Sequence, residues 1–355
     1  MRRRLSYLVA VTLCLCLAAA CGGPQGSVPG EREEENTAPS EPSTQPAEDT
    51  PGPSEAPSAI FPTVSVPSVL GDDEALRLEY VLDHYWDSFL GGDGATTPKA
   101  ILGIGDESVE QALANYIQIL SNVKAASTPD DQKPLKKAQK SVRKFFDKLE
   151  ARQQADTSSH TYLRLTEMVS RYLYDPNSPL RDEDLYLPFV EAMSKSGCTR
   201  EDMRNAYLHE LKMCNTNPFG SKVPDIRYKD IKGHKGTLYA IDADYTMLFF
   251  SNPGCESCKG IIKDVMSRGY IESLISDKKL AVMNIYIDEE VSKWRDYSPN
   301  YPSCWINGYD YTFSLRDGGS FDIRAIPSLY LLDSSKRVLM KDAPTEKVLA
   351  FLDTL

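Results

Sequence analysis

Two cysteines separated by two residues carry the clearest chemical signal in this 355-residue sequence. Cys255 and Cys258 follow an apolar run at 247–250, which predicts a buried strand, and three strand-breaking residues at 252–254. Apolar residues at helical spacing come next, so the pair is predicted to lie at a helix N-terminus. Free amide groups and the helix dipole favour a thiolate there, and in such motifs the cysteine pKa falls from about 8.5 to between roughly 3.5 and 7.5.

A proline about 70 residues further on is the second feature with chemical meaning. Ile326-Pro327 opens another apolar run at 329–332. An X-Pro bond takes the cis form at a cost of only about 0.5–1 kcal/mol, and proline is tolerated at the first residue of a strand. A trans entry to the strand is the alternative. The order and distance relative to Cys255 favour the cis bond.

The first 20 residues predict export from the cytoplasm. Three arginines precede an apolar run at 5–17, and three alanines precede Cys21. This is the pattern of a secretory signal peptide. Small residues directly before a cysteine also resemble the bacterial lipoprotein box, and that resemblance implies cleavage before Cys21 and lipidation of its thiol. Ordinary secretion with cleavage near Ala20 is the alternative.

Residues 21–71 are predicted to be a lipidated cysteine followed by a disordered linker. Ten of the 23 prolines fall within 22–70, and this range contains eight acidic residues but only one basic residue, Arg32. Such a segment cannot bury a core, so it is expected to act as a stalk between lipid and folded protein. The net charge of −11 leaves −7 for residues 71–355, and this balance gives no reason to expect nucleic acid binding.

Residues 72–215 are predicted to form an antiparallel helical domain. Six amphipathic patterns follow one another without a strand between them. Asp72, Asp73 and Glu74 look like the first helix start, Pro179 suits the first turn of the fifth helix, and the sequence 199–202 has the form of a capping box for the sixth. The role of this domain does not follow from the sequence.

The helical domain shows no catalytic constellation. His84, His160 and His209 stand alone in helical patterns, where a structural histidine is commoner than a ligand or base. Cys198 and Cys214 flank the sixth helix, so a continuous helix would hold them roughly 20 Å apart, beyond the 7 Å limit for a disulfide. Free buried thiols, or links to other cysteines, are left open.

Residues 216–355 are predicted to form an α/β domain with a mixed sheet. A hairpin at 225–241 precedes the strand and helix of the cysteine pair. A further strand at 280–287, a polar crossover at 294–324, a hairpin at 329–340 and a last helix from Pro344 follow.

This order resembles the thioredoxin fold, and the extra hairpin and export signal resemble periplasmic thiol-disulfide oxidoreductases of the TlpA/ResA type. The whole chain is similar to Bacteroidota envelope lipoproteins with an uncharacterised helical N-terminal domain. The resemblance implies that Cys255 attacks a partner disulfide, that Cys258 resolves the mixed disulfide, and that Ile326 and Pro327 form the cis-proline loop that contacts substrate. No metal or other cofactor is implied.

The sequence departs from the thioredoxin pattern at two positions beside the cysteines. Phe249 stands where thioredoxins carry a buried carboxylate that handles the proton of the second thiol, and Gly254 replaces the usual tryptophan. Substitutes for the carboxylate are expected among Asp242, Asp244 and Glu256.

Three functions remain open. The favoured one is a membrane-tethered thiol-disulfide oxidoreductase that acts on disulfides of envelope proteins, receives electrons from an upstream thiol donor, and faces the periplasm of a Gram-negative cell, with surface exposure as an alternative. The second is an envelope binding protein in which Cys255–Cys258 is a structural disulfide. A zinc site is disfavoured because the pair has no second pair or nearby histidine. Cys304 is expected to be a buried core cysteine, with a redox role or a bond to Cys214 as alternatives.

Overall fold

The computed structural model describes residues 60–317 and 319–355. The predicted signal peptide 1–20, the predicted lipidation site Cys21 and most of the predicted linker lie outside the described residues. The last residues of that linker are described, and there Phe61 stacks on Phe89 with ring centroids 5.0 Å apart. Among the residues that the structure describes, no helix has the length and apolar character needed to cross a bilayer.

Residues 72–215, called the helical segment below, are built from helices around one aromatic-rich core. The stacked rings of Trp86 and Phe145, 4.3 Å apart, lie within that core. A short hairpin that the sequence did not predict precedes the third helix. The elements are α1 (Glu74–His84), α2 (Asp87–Leu90), β1 (Ala100–Ile101), β2 (Ile104–Gly105), α3 (Asp106–Lys124), α4 (Lys133–Ala155), α5 (Thr161–Leu173), α6 (Glu183–Lys195) and α7 (Glu201–Cys214).

Two predicted features of helix N-termini are wrong: the start of α6 and the capping box of α7. α6 begins at Glu183 rather than near Pro179, because the Asp182 side chain accepts the amide hydrogen of Leu185 and caps the helix there. α7 has no capping box. The Thr199 hydroxyl bonds instead to the carbonyl of Met193 and the hydroxyl of Tyr162, which leaves Arg200 as an N-cap without a side-chain bond.

Residues 216–355, called the sheet segment, form a mixed seven-stranded sheet in the described chain, with strand order β4-β3-β7-β6-β5-β8-β9. β5 pairs in parallel with β6 and antiparallel with β8. The elements are β3 (Arg227–Lys229), β4 (Lys235–Thr237), β5 (Tyr245–Phe250), α8 (Glu256–Met266), α9 (Ile271–Ser276), β6 (Leu280–Tyr286), α10 (Val291–Tyr297), β7 (Ile306–Tyr309), α11 (Ser314–Asp317), β8 (Ser328–Asp333), β9 (Val338–Met340) and α12 (Thr345–Leu352).

The central strands are buried on both faces, which explains their continuous apolar sequences. Met247 and Phe249 of β5 point into one core cluster together with α8, while Leu248 and Phe250 point into the opposite cluster. The predicted fold class, a helical region followed by a mixed sheet with flanking helices, is confirmed. β7 was missed because it lies inside the region predicted as a polar crossover.

Candidate active site

The cysteine pair lies at the end of the sheet where strand β5 ends. After Phe250 the chain turns through residues 251–254 and enters α8. Gly254 has φ +76°, in the left-handed region that costs an L-residue energy. The backbone conformation therefore accounts for glycine at the position where the related pattern carries tryptophan.

The two thiols occupy different environments at the start of α8. Cys255 is the N-cap residue, and its Sγ accepts the amide hydrogen of Cys258 at 3.2 Å. The residues form a disulfide with a Cα–Cα distance of 5.2 Å. Cys258 is 2% exposed, whereas Cys255 is only half-buried. Once reduced, the outer sulfur faces both solvent and the positive end of the helix dipole, which stabilises a thiolate.

The proline predicted to accompany the pair lies in a loop that leads into β8. The Ile326–Pro327 bond is cis, as predicted. Ser328, the residue after Pro327, is in register with Phe250, the last residue of β5 before the cysteine turn, so the loop lies at the cysteine end of the sheet. The cysteine pair and the cis proline therefore lie at the same end of the central strands β5 and β8.

The missing carboxylate is not replaced by the nominated aspartates. Phe249 is fully buried and its ring meets Trp305 edge-on at 6.0 Å. Asp242 and Asp244 are exposed and precede β5, whereas the cysteines follow it, and a six-residue strand is about 20 Å long. Their assignment as substitutes is therefore wrong.

Glu256 lies beside the cysteines but points into solvent. Its side chain is 84% exposed and pairs with Lys259 at 2.6 Å, an interaction that raises the pKa of that lysine. Such an exposed pair is worth little energy. Glu256 therefore does not reproduce the environment of a buried carboxylate.

A row of buried neutral polar groups lies beside Phe249 instead, and the sequence did not reveal it. Asn284 of β6 is in register with Phe249, and Asn307 of β7 is in register with Asn284. The Ser251 hydroxyl donates to Asn284 Oδ1 at 2.6 Å, and Asn284 Nδ2 donates to Asn307 Oδ1 at 3.0 Å. Tyr301 lies 3.4 Å from the Ser251 hydroxyl. Amides and hydroxyls orient protons but stay neutral, so this row differs chemically from a carboxylate.

The other cysteines in the described chain are free thiols. Cys198 and Cys214 are not bonded to each other, as predicted, and burial raises the pKa of both. Cys304 is exposed, so its prediction as a core cysteine is wrong. It lines a cavity of about 280 Å³ with Ala243 and Lys278.

The cavity places Cys304 away from the cysteine pair. Ala243 precedes β5 and Lys278 precedes β6, so the cavity lined by Cys304 opens towards the end of the sheet opposite to the one that carries Cys255. A direct role for Cys304 in exchange with the pair does not fit this separation. Among the residues with described positions, no group of three His, Cys, Asp or Glu side chains could hold a metal ion.

These features define a thioredoxin-like domain: a strand, a Cys-x-x-Cys helix and a cis-proline loop on a mixed central sheet. A thioredoxin-like protein from Bacteroides caccae with a crystal structure is 34% identical to this chain. The match covers 83% of this chain and 98% of that one, with a TM-score of 0.68.

The chain belongs to the family described as Domain of unknown function (DUF5106), whose model matches residues 30–217. The C-terminal domain of an uncharacterised Bacteroides fragilis protein is 40% identical over 39% of this chain and 99% of its own, with a TM-score of 0.38. No curated protein matches the sequence.

Proposed function

We propose that this protein is a thiol-disulfide oxidoreductase that acts on disulfides of envelope proteins. The observation that carries the proposal is the asymmetry of the pair: a half-buried sulfur at the N-cap of α8, and a buried sulfur one turn along the same helix. This arrangement separates an attacking thiol from a resolving thiol. The similarity to the Bacteroides caccae thioredoxin-like protein supports the same class of chemistry.

The proposed cycle starts from the dithiol form. The Cys255 thiolate attacks one sulfur of the client disulfide, forms a mixed disulfide and releases the other client sulfur as a thiolate. The Cys258 thiolate then attacks Cys255 Sγ, forms the Cys255–Cys258 bond and releases the second client thiolate. Two electrons pass to the client. A thiol donor in the envelope returns two electrons to the pair and closes the cycle.

The client approaches beside the proline loop, which we define as residues 324–328. Because Ser328 of this loop pairs with Phe250, which leads into the cysteine turn, an extended client chain bound along the loop would approach the end of the sheet that carries Cys255. Pro327 has no amide hydrogen, which leaves this point of the loop without a competing donor. Ile326 and Pro327 are the substrate-contacting residues of the proposal.

The proposal includes a membrane tether through Cys21 and a position facing the periplasm. It rests on the sequence before the described residues: an export signal, small residues ahead of the cysteine and an acidic linker. Replacing Cys21 with Ser is expected to abolish labelling by radioactive palmitate and to move the protein from the membrane fraction to the soluble fraction. Unchanged fractionation and labelling would contradict the tether.

A second candidate is an envelope binding protein with a structural Cys255–Cys258 disulfide. It is favoured by Phe249, because a fully buried phenylalanine supplies no base for the inner thiol. In that case the pair would resist reduction, with a potential below about −300 mV. The two candidates therefore differ in a measurable property of the same two sulfurs.

Trapping of client proteins tests the proposal. In a Cys258→Ala variant the resolving thiol is absent, so mixed disulfides between Cys255 and clients are expected to accumulate and to disappear on treatment with dithiothreitol. Cys304→Ala, which removes an exposed thiol far from the pair, serves as the matched control and should trap nothing. Absence of adducts, together with a reduction potential of the Cys255–Cys258 pair below about −300 mV in the unaltered protein, would instead support the structural disulfide.

A further inference from the structure

A buried group of charged residues joins the helical segment to the proline loop. This interface cluster consists of Glu183 from α6, Asp322 and Arg324 from the chain before β8, and Lys341 and Asp342 after β9. Both segments belong to one compact unit, Glu55–Leu355. Because α6 lies in the part of the chain matched by the family model, the cluster connects the family's own domain to the candidate active site.

Arg324 is the residue of the cluster that lies in the proline loop itself. Its guanidinium donates to the carbonyl oxygen of Tyr174, to Glu183 Oε1 at 2.9 Å and to Asp342 Oδ2 at 2.8 Å. It also lies over the Tyr174 ring, 4.1 Å from the centroid. The side chain is only 13% exposed. The helical segment thus contacts Arg324, the first residue of the loop, through a hydrogen bond to a carbonyl, an ion pair and a cation–π interaction.

Tyr174 and Glu183 are themselves fixed within the helical segment. The Tyr174 ring stacks on Tyr186 of α6 at 4.9 Å, and the buried Tyr186 hydroxyl donates to Glu210 of α7 at 2.7 Å. Glu183 occupies the first turn of α6. Tyr174 and Glu183, which contact Arg324, are therefore held in place by packed helices and are not part of a free surface loop.

Lys341 extends the same connection to the end of α7. Its side chain is 3% exposed, and its ammonium group lies 2.6 Å from Glu183 Oε2. It also donates to the carbonyl oxygens of Met213 at 2.6 Å and Thr216 at 2.7 Å. A cation from the sheet segment thus bonds to one carbonyl in the last turn of α7 and to a second carbonyl two residues beyond that helix.

The other end of the proline loop is held through Asp342. The Ser328 hydroxyl donates to Asp342 Oδ1 at 2.9 Å, while Asp342 Oδ2 accepts from Arg324. Arg181 of the helical segment donates to the Asp342 carbonyl at 2.5 Å. Residues 324 and 328 are therefore fixed to each other and to the helical segment, with Ile326 and Pro327 between them.

Buried ion pairs of this kind contribute little net stability, but they fix the relative positions of the groups that they join. Removing five charged groups from water costs energy that their mutual attraction repays only when the geometry is good. Arg324 is suited to such a site because its planar fork reaches several acceptors in fixed directions. The observed contacts fix a loop conformation beside Cys255, which is the element a client must meet in the right position.

From these contacts we infer that the helical segment positions the proline loop for client binding, with Arg324 as the positioning residue. The inference rests on the proposed thiol-disulfide exchange. Arg324 does not touch the sulfurs, so its loss is expected to weaken client binding without changing the reactivity of the Cys255 thiolate.

The test uses full-length protein with insulin as the disulfide substrate and dithiothreitol as the electron donor. Arg324→Met is expected to raise KM for insulin at least about tenfold with little change in kcat, since small displacements of positioning groups have effects of this size or larger. The pH profile of Cys255 alkylation by iodoacetamide should match the unaltered protein. Arg324→Lys keeps the charge but loses the fork, and should give an intermediate KM.

Arg337→Met is the matched control, because Arg337 also bridges the two segments but lies away from the proline loop. Arg337 pairs with the exposed Asp130 at 2.6 Å. The KM of Arg337→Met for insulin should stay within twofold of the value for the unaltered protein. An unchanged KM in Arg324→Met, or an equal rise in Arg337→Met, overturns the inference.

Two further outcomes have defined meanings. If Arg324→Met does not fold, the KM of Arg324→Lys decides, and an unaltered value overturns the inference. If the unaltered protein neither reduces insulin nor forms mixed disulfides, the proposed oxidoreductase function fails and the inference fails with it. Activity of the unaltered protein with unaffected Arg324 variants removes only the positioning role.

Discussion

At the scale of single residues, spacing in the sequence identified the thiols but not their polar surroundings. Cys255 and Cys258 are close in the chain, so the motif and the helix behind it are visible together. Ser251 follows β5, whereas Asn284 and Asn307 lie in β6 and β7, so the three residues meet only through the register of the sheet. No local period links such positions, so only the structure reveals the buried row.

Gly254 illustrates a residue whose identity follows from the backbone. A Cβ at this position would meet no atom within 4 Å, yet φ is +76°. Gly254→Ala is therefore expected to lower the free energy of unfolding by about 1–2 kcal/mol through backbone strain alone. Urea unfolding of the oxidised protein measures the change.

Gly260 provides a matched control for that substitution. It lies inside α8, where an added Cβ also meets nothing within 4 Å, but without a positive φ. Gly260→Ala should raise the unfolding free energy by roughly 0.5–1 kcal/mol, because alanine is the better helix former. The same sign for both substitutions would contradict the backbone explanation.

At the scale of secondary structure, strong apolar patterns were read correctly and weak ones were not. β5, β6 and β8 are apolar runs, and each was found close to its observed bounds. β7 contains Asn307 and Gly308, which disfavour strands, and it forms because β6 and β3 pair with it on either side. Such tertiary pairing leaves no local signal.

Helix starts depend on which partner a capping side chain finds. Thr199 has the right type and position for a cap, but the neighbouring Tyr162 and Met193 take its hydrogen bonds. Asp182 caps α6 although Pro179 looked like the better start. Both errors arise from competition between local and tertiary partners, which a sequence motif does not include.

The predicted start of α1 is confirmed, and the contribution of its cap can be measured. Asp73 accepts the amide hydrogens of Ala75 and Leu76, both at 3.0 Å. Asp73→Ala is expected to lower the unfolding free energy by about 1 kcal/mol. Asp72→Ala removes a neighbouring acid that is not the N-cap and should change stability by less than about 0.5 kcal/mol. Equal losses in the two variants would show that the cap is not the cause.

At the scale of the whole molecule, the interface cluster predicts a dependence of stability on pH. Burial raises the pKa of the Glu183 carboxyl to about 7, although Lys341 and Arg324 lie against it. A raised folded-state pKa adds stability below the ordinary glutamate value of about 4.3, and this contribution is lost as the pH rises towards 7. Stability should therefore fall between about pH 5 and pH 8, by an amount on the order of 3 kcal/mol from this group.

Glu183→Gln tests that dependence because it removes the titrating group and keeps a similar shape. Unfolding free energies at pH 5 and pH 8 should differ less in the variant than in the unaltered protein. Burial also raises the pKa of Glu210, so the comparison between the two proteins is the decisive quantity. The same pH dependence in both would contradict the assignment to Glu183.

The bonds from Lys341 to the Met213 carbonyl in α7 and to the Thr216 carbonyl just beyond it limit how freely the two segments can be exchanged between proteins. A chimera that joins this helical segment to a foreign thioredoxin-like domain would leave the buried Glu183 without Arg324 and Lys341 as counter-ions, and would remove the lysine that donates to the Met213 carbonyl of α7. Transplanting Arg324 and Lys341 together with the helices would restore both. Recombination of these two segments between proteins therefore requires that the basic residues at positions 324 and 341 are kept together with the helical segment.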